Sequence, residues 1–352
     1  MARKGISQLF TRKPNDKPVI AEMTPRAAIP GGEVMIRGSG FGPANHSRPR
    51  VSFGDVEASV VVSADSFVVA RVPEGATSGH VVISKGNQSS DPYDFEVGVP
   101  VAENLHPVAN PALDAEGNIF STFSGARGQK VPVSIYKIDV SYNVKPFVTE
   151  IMNPTGLAFD RSGQLFVSSR HDGTIFRVAP NGASATYVEG MGVATGLAFD
   201  AQENLYVGDR SGTIFKVGRD RQIFVFATLE PSIAAYHLAF GPDRYLYVAG
   251  PTTSSFDAVH RISPAGQGEV FYRGLGRPQG LAFDLEGNLY LAASLGGRKG
   301  IVRITPGRQA DLVICGASLV GLAFTSGRAL ILASTNSLFH MNWHIKGRPL
   351  LG

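Results

Sequence analysis

Four arginines, Arg127, Arg170, Arg210 and Arg298, recur in short polar segments (124–129, 169–172, 209–211 and 296–298). A guanidinium presents a planar donor fork that matches a carboxylate or phosphate. Several converging on one surface would hold a small anion or an acidic peptide. His106, Asn110, Asn153, Tyr236, His237, Arg277 and Gln279 fall in segments expected on the same face. The competing reading is structural: each arginine pairs with a neighbouring acid, such as Asp172 or Asp209, and braces the fold.

Other catalytic constellations have no local signature. His106, His171, His237, His260, His340 and His344 lack metal-ligand spacing. No Ser-His-Asp pattern is readable in the chain order. Asp114, Asp160, Asp200 and Asp284 close a recurring phrase, mostly as Asp-x-x-Gly, where turn formation accounts for them. Gly38-Ser39-Gly40-Phe41-Gly42 and residues 125–128 lack the Lys-Ser/Thr and the strand-to-helix context of a phosphate loop. Cys315 is the single cysteine, so there is no internal disulfide framework; in Asp-Leu-Val-Ile-Cys it reads as a small core residue.

The elements that must position these groups follow from a repeat. The phrase Gly156-Leu157-Ala158-Phe159-Asp160 returns as 196–200, 280–284 and 321–325, as His237-Leu238-Ala239-Phe240-Gly241, and weakly as Asn110-Pro111-Ala112-Leu113-Asp114. Six copies at a period of about 40 residues suit four short strands per unit, the arithmetic of a β-propeller. In the third unit the strands are expected over 197–200, 204–208, 213–217 and 222–227. The Leu-Ala-Phe and Leu-Tyr-Val runs indicate inner strands buried on both faces. The last unit shows three strands, over 319–323, 329–333 and 337–341. Val99-Pro100-Val101-Ala102 is expected to supply the fourth and close the ring, removing free sheet edges.

At 352 residues the chain suits two domains. With 43% hydrophobic and 18% charged residues, it is a foldable mixture, and 41 Gly and 22 Pro imply many tight turns. The net charge of +4 is confined to the first 17 residues, where Arg3, Lys4, Arg12, Lys13 and Lys17 face only Asp16. The rest is balanced, which removes the global basic field expected of a nucleic-acid binder. There is no signal-peptide pattern and no apolar run long enough to span a membrane, so the expected location is cytoplasmic with no membrane partner.

Residues 18–98 read as short alternating strands punctuated by Gly and Pro, the pattern of a β-sandwich. Pro30-Gly31-Gly32, Ile36-Arg37-Gly38-Ser39-Gly40-Phe41-Gly42, Val51-Ser52-Phe53-Gly54 and Gly79-His80-Val81-Val82-Ile83 resemble the IPT/TIG family of immunoglobulin-like domains. That resemblance implies a fold and a spacer or docking role. Residues 99–346 resemble NHL repeats and the six-bladed senescence-marker-protein/gluconolactonase group, through Gly-Leu-Ala-Phe-Asp-x-x-Gly-x-Leu-Tyr-Val and Gly-Thr-Ile-Phe-Lys-Val.

The gluconolactonase resemblance would imply a divalent metal such as calcium on the axis, held by Glu, Asn and Asp just before the Gly of the phrase, activating water for lactone hydrolysis. Here those positions hold Ala109, Thr155, Thr195, Tyr236, Gln279 and Val320, none a carboxylate. Asn153 or Asp209 would have to reach the axis instead.

The expected protein is all-β: a basic tail (1–17), an Ig-like domain (18–98), a six-bladed propeller (99–346) and a short tail (347–352). The expected role is a ligand- or protein-binding propeller without a cofactor, its partner a small anion or a protein. The alternative is a metal-dependent lactonase-like hydrolase with altered ligands, and a third reading is a structural scaffold. Metal on the axis would favour the enzyme.

Overall fold

The computed structural model describes residues 17–42, 48–126, 128–254 and 256–348; the basic tail up to residue 16 and Arg127 lie outside them. Every regular element is a strand, and the chain divides into two compact units, at Val97 and Gly98.

In the first unit, Val19–Thr24, Glu33–Ser39, Phe67–Arg71 and Val56–Ser63 form one antiparallel sheet. Arg50–Phe53, Gly79–Lys85 and Tyr93–Val97 form the other. Strict alternation aims Val34, Ile36, Val51, Phe53, Val81, Ile83 and Phe95 inward, each at most 3% exposed. This is the sandwich that the alternating pattern predicts.

The second unit is a ring of six four-stranded antiparallel blades. Blade 1 is Ala112–Leu113, Ile119–Thr122, Ile135–Ile138 and Val144–Val148, and blade 2 is Pro154–Phe159, Leu165–Ser169, Ile175–Val178 and Ser184–Val188. Blade 3 is Ala194–Phe199, Leu205–Asp209, Thr213–Val217 and Ile223–Thr228. Blade 4 is His237–Phe240, Leu246–Ala249, Asp257–Ile262 and Gly268–Gly276; blade 5 is Leu281–Phe283, Leu289–Leu295, Arg298–Ile304 and Ala310–Cys315. Blade 6 takes Leu319–Phe324, Ala329–Ser334 and Leu338–Asn342 from the end of the chain. Its fourth strand is Val99–Ala102, antiparallel to Leu338–Asn342 with Val99 opposite His340. The ring therefore closes as the sequence predicts. Cys315 is buried, 6% exposed, at the end of an outer strand.

The repeat phrase now has a physical explanation. Each core cluster bridges two neighbouring blades rather than filling one. The phrase's Phe packs edge-on against an aromatic on the second strand of the preceding blade. The pairs are Phe120–Phe159, Phe166–Phe199, Tyr206–Phe240, Tyr247–Phe283 and Tyr290–Phe324, with ring centroids 5.3, 5.0, 5.1, 4.8 and 5.3 Å apart. Each contributes about 0.5–1.5 kcal/mol beyond its buried area. The phrase's Gly is where the next blade approaches most closely. A Cβ on Gly156 would lie 2.2 Å from the Thr195 carbonyl oxygen, and one on Gly196 2.4 Å from that of Tyr236.

The aspartates that end the phrase are turn formers, as expected. Asp114, Asp160, Asp200 and Asp284 each accept the amide four residues on, from Asn118, Gln164, Asn204 and Asn288, at 2.8–2.9 Å. These turns, together with those joining third to fourth strands, define one face of the propeller. The blade-to-blade connections and second-to-third loops define the opposite one.

Candidate functional site

A cavity of about 280 Å³ runs along the inner strands and opens toward the turn face. Its walls are mixed, and their apolar part is made by Leu157, Leu197, Phe199, Leu238, Phe240 and Phe283. They arrive by the strand alternation that turns one side of each inner strand to the axis.

Two polar groups stand at its inner end. The six copies of the phrase begin with Asn110, Gly156, Gly196, His237, Gly280 and Gly321, so only Asn110 and His237 place a side chain there. Asn110 is engaged at both ends: its Nδ2 donates to the Leu281 carbonyl at 2.8 Å and its Oδ1 accepts the Leu322 amide at 3.0 Å. It fastens blade 1 to blades 5 and 6. His237 is 5% exposed, and burial lowers its pKa from 6.5 to about 4. The imidazole is neutral at pH 7, with both a donor and an acceptor nitrogen.

Three cations line the rest of the cavity: Lys216, Arg244 and Arg348. The one acidic residue lining it is Asp200. Its carboxylate accepts the Gln202 amide (2.8 Å), the Asn204 amide (2.9 Å), Asn204 Nδ2 (2.8 Å) and the Tyr206 hydroxyl (3.3 Å). Burial, with Asp200 second, raises the Tyr206 pKa, so that hydroxyl stays a neutral donor. Lys216 Nζ lies 5.7 Å from the Tyr206 ring centroid. No ion pair within 4.0 Å joins Lys216, Arg244 or Arg348 to an acid among the described residues.

Of the residues expected on the binding face, Asn110 and His237 line this cavity, as does Asp200, expected as a turn former. The others sit on the connection face or in the core, and most have local partners. Asn153 is 0% exposed; its Oδ1 accepts the Gly128 amide at 2.7 Å, and its Nδ2 donates to the Gly125 and Ala126 carbonyls at 3.2 and 2.9 Å. It is a clamp on the blade 1 loop. Arg170 Nη2 donates to the Gly125 carbonyl at 2.7 Å, and Arg210 Nε to the Ser232 carbonyl at 3.2 Å. Bracing through backbone carbonyls of neighbouring segments is thus observed. Arg298 opens the third strand of blade 5, after the Gly296-Gly297 turn, rather than lying in a loop.

His106, Asn153 and Arg277 share one backbone conformation, φ +47° immediately before a proline, in three blade connections. His106 is exposed and edge-on to Phe123 at 5.3 Å. The exposed Arg277 donates its amide to Asp257 Oδ2 at 3.0 Å. Tyr236 is 2% exposed in the core between blades 3 and 4; its hydroxyl donates to the Glu230 carbonyl, and burial raises its pKa to about 12. Gln279 is half-buried and its amide donates to the Ala292 carbonyl at 2.8 Å.

The gluconolactonase resemblance would place a metal on the axis. No group of three His, Cys, Asp or Glu side chains able to hold an ion exists among the described residues. Asp209 accepts the Val193 amide at 2.8 Å and the Ser211 hydroxyl, so its oxygens tie its own loop to the connection entering blade 3.

Comparison with known proteins agrees with both folds. The family model for the IPT/TIG domain matches residues 18–97. Those residues are an IPT/TIG domain. Among solved structures, an auxiliary nutrient binding protein from Bacteroides thetaiotaomicron is 12% identical, with a TM-score of 0.56, covering 93% of this chain and 98% of that one. A gluconolactonase from Xanthomonas campestris is 15% identical (TM-score 0.57, 69% of this chain and 88% of that one). A virginiamycin B lyase from Staphylococcus aureus is 14% identical (TM-score 0.51, 68% and 95%). At such identities the likeness is one of fold alone. No curated protein matches the chain.

Proposed function

We propose that the protein is a binding protein for a small organic anion, held in the axial cavity of the propeller. The observation that carries this reading is the charge arrangement of the lining: Lys216, Arg244 and Arg348 line a partly apolar cavity whose single carboxylate, Asp200, is already spent on its own turn. Cations next to apolar walls suit a ligand with an apolar body and one carboxylate or phosphate group. His237 offers a hydrogen bond at the inner end. The IPT/TIG unit serves as spacer or docking module. Proteins of similar fold carry names of binding proteins and of enzymes alike, and the lining has the groups for recognition of an anion.

Calorimetric titration with octanoate and with octylammonium tests this. Octanoate binding to the wild type, absent with octylammonium, is the expected result. Ala201→Trp, at an exposed position of the lining, is expected to block it. Equal binding of both probes, or octanoate binding unaffected by Ala201→Trp, would overturn the assignment.

A further inference from the structure

We propose that the segment 343–348 serves to bring Arg348 to the cavity and that Arg348 is the residue that selects an anionic ligand over a neutral one. This rests on the binding reading of the same cavity.

The segment follows the last strand of blade 6 and crosses to blade 5. The Trp343 and His344 amides donate to the Arg328 carbonyl at 3.1 and 2.9 Å. The Leu285 amide donates to the Lys346 carbonyl at 3.1 Å, Gly347 bridges to Asp284, and the Arg348 amide donates to the Phe283 carbonyl at 2.8 Å. Trp343 meets Tyr290 edge-on, centroids 6.4 Å apart. These contacts fix the backbone on both sides of residue 347. Gly347 lies flat on Phe324, where a Cβ would come within 1.8 Å of the Phe324 Cβ, so glycine alone permits this approach.

The result is a cation brought to the axis from outside the blade repeat. Arg348 lines the cavity beside Phe283, half-buried, with its backbone already ordered. Arg244 is exposed on a turn, and Lys216 is drawn to the Tyr206 ring. Arg244 has the same fork, and its amide donates to the Gly241 carbonyl at 3.1 Å, but of the two arginines only Arg348 is half-buried against the cavity wall. Less ordering entropy is lost when it closes on a ligand.

The test uses octanoate and octanamide, which share an apolar body and differ in charge. Wild-type protein is expected to prefer octanoate by about tenfold or more, the effect of one charge-assisted hydrogen-bonded contact. Arg348→Gln is expected to lower octanoate affinity by about tenfold and leave octanamide unchanged, with the melting temperature held. Arg348→Lys, which keeps charge but loses the fork, is expected to fall between. Gly347→Val is expected to displace the segment, read through the emission of Trp343, the only tryptophan, and to reproduce the Arg348→Gln pattern. Full preference for octanoate in folded Arg348→Gln would overturn the role of Arg348 and leave the cavity reading intact. Failure of wild-type protein to bind either probe would overturn both.

Discussion

The side-chain oxygen of Asn110 accepts the backbone amide of Leu322, a residue 212 positions further along the chain, at 3.0 Å. Its nitrogen meanwhile donates to Leu281 of blade 5. One side chain thus joins the first blade to the last two at the axis. The main-chain ladder between Val99–Ala102 and Leu338–Asn342 closes the same ring near its rim. The seam between the two ends of the propeller is held at an inner and an outer radius.

Asn110→Ala should therefore destabilise the propeller by about 2–4 kcal/mol, because the Leu322 amide and Leu281 carbonyl lose their partner beside the axis. Asn143→Ala, which removes bonds only to Asp139 within one exposed turn, should cost less than about 1 kcal/mol. Urea denaturation of both variants checks the contrast; equal losses would show that Asn110 does not carry the seam.

His237 gives the fold an acid sensitivity. Its pKa is about 4 in the folded protein against 6.5 ordinarily, so the unfolded chain binds the proton more readily. Stability is unaffected above about pH 6.5 and falls as pH is lowered from there toward 4, by roughly 3 kcal/mol in all. His237→Gln should flatten that portion of the stability profile. Thermal melts of the two proteins between pH 4 and 7 give the comparison, and parallel curves would contradict it.

Arg170 and Arg210 separate the two faces of the propeller. Each donates to a backbone carbonyl of a neighbouring segment, Gly125 and Ser232. Replacing both with alanine should cost about 1–3 kcal/mol in total and leave octanoate affinity unchanged. Loss of octanoate binding at unchanged stability would place the site on the connection face.

The architecture was legible because its causes are local and repeated. Leu-Ala-Phe runs report inner strands packed on both sides, the phrase's Gly reports the approach of the next blade, and Val99–Ala102 fills the one strand blade 6 lacks. The site was less so. Lys216, Arg244 and Arg348 lie on a third strand, a turn and a segment beyond the last blade, and only the closed ring brings them to one cavity. Nothing in their spacing reports that convergence. The arginine-bearing loops had a visible period, yet periodicity in a propeller serves blade packing first, and Arg170 and Arg210 brace blades accordingly. The signal that did point to the axis was a break in the repeat: His237 and Asn110 stand where the other copies have glycine.

The closing strand also determines how the ring responds to force. Val99–Ala102 and Leu338–Asn342 run antiparallel, with Val99 opposite His340 and Ala102 opposite Leu338. Tension applied at residue 98 and at residue 343 therefore loads both strands from the same end. The hydrogen bonds lie along the pulling direction and rupture in succession, so the clasp peels like a zipper instead of resisting in shear. Pulled at these two positions, the propeller should open first at blade 6, at low force, while the other five blades keep their strands.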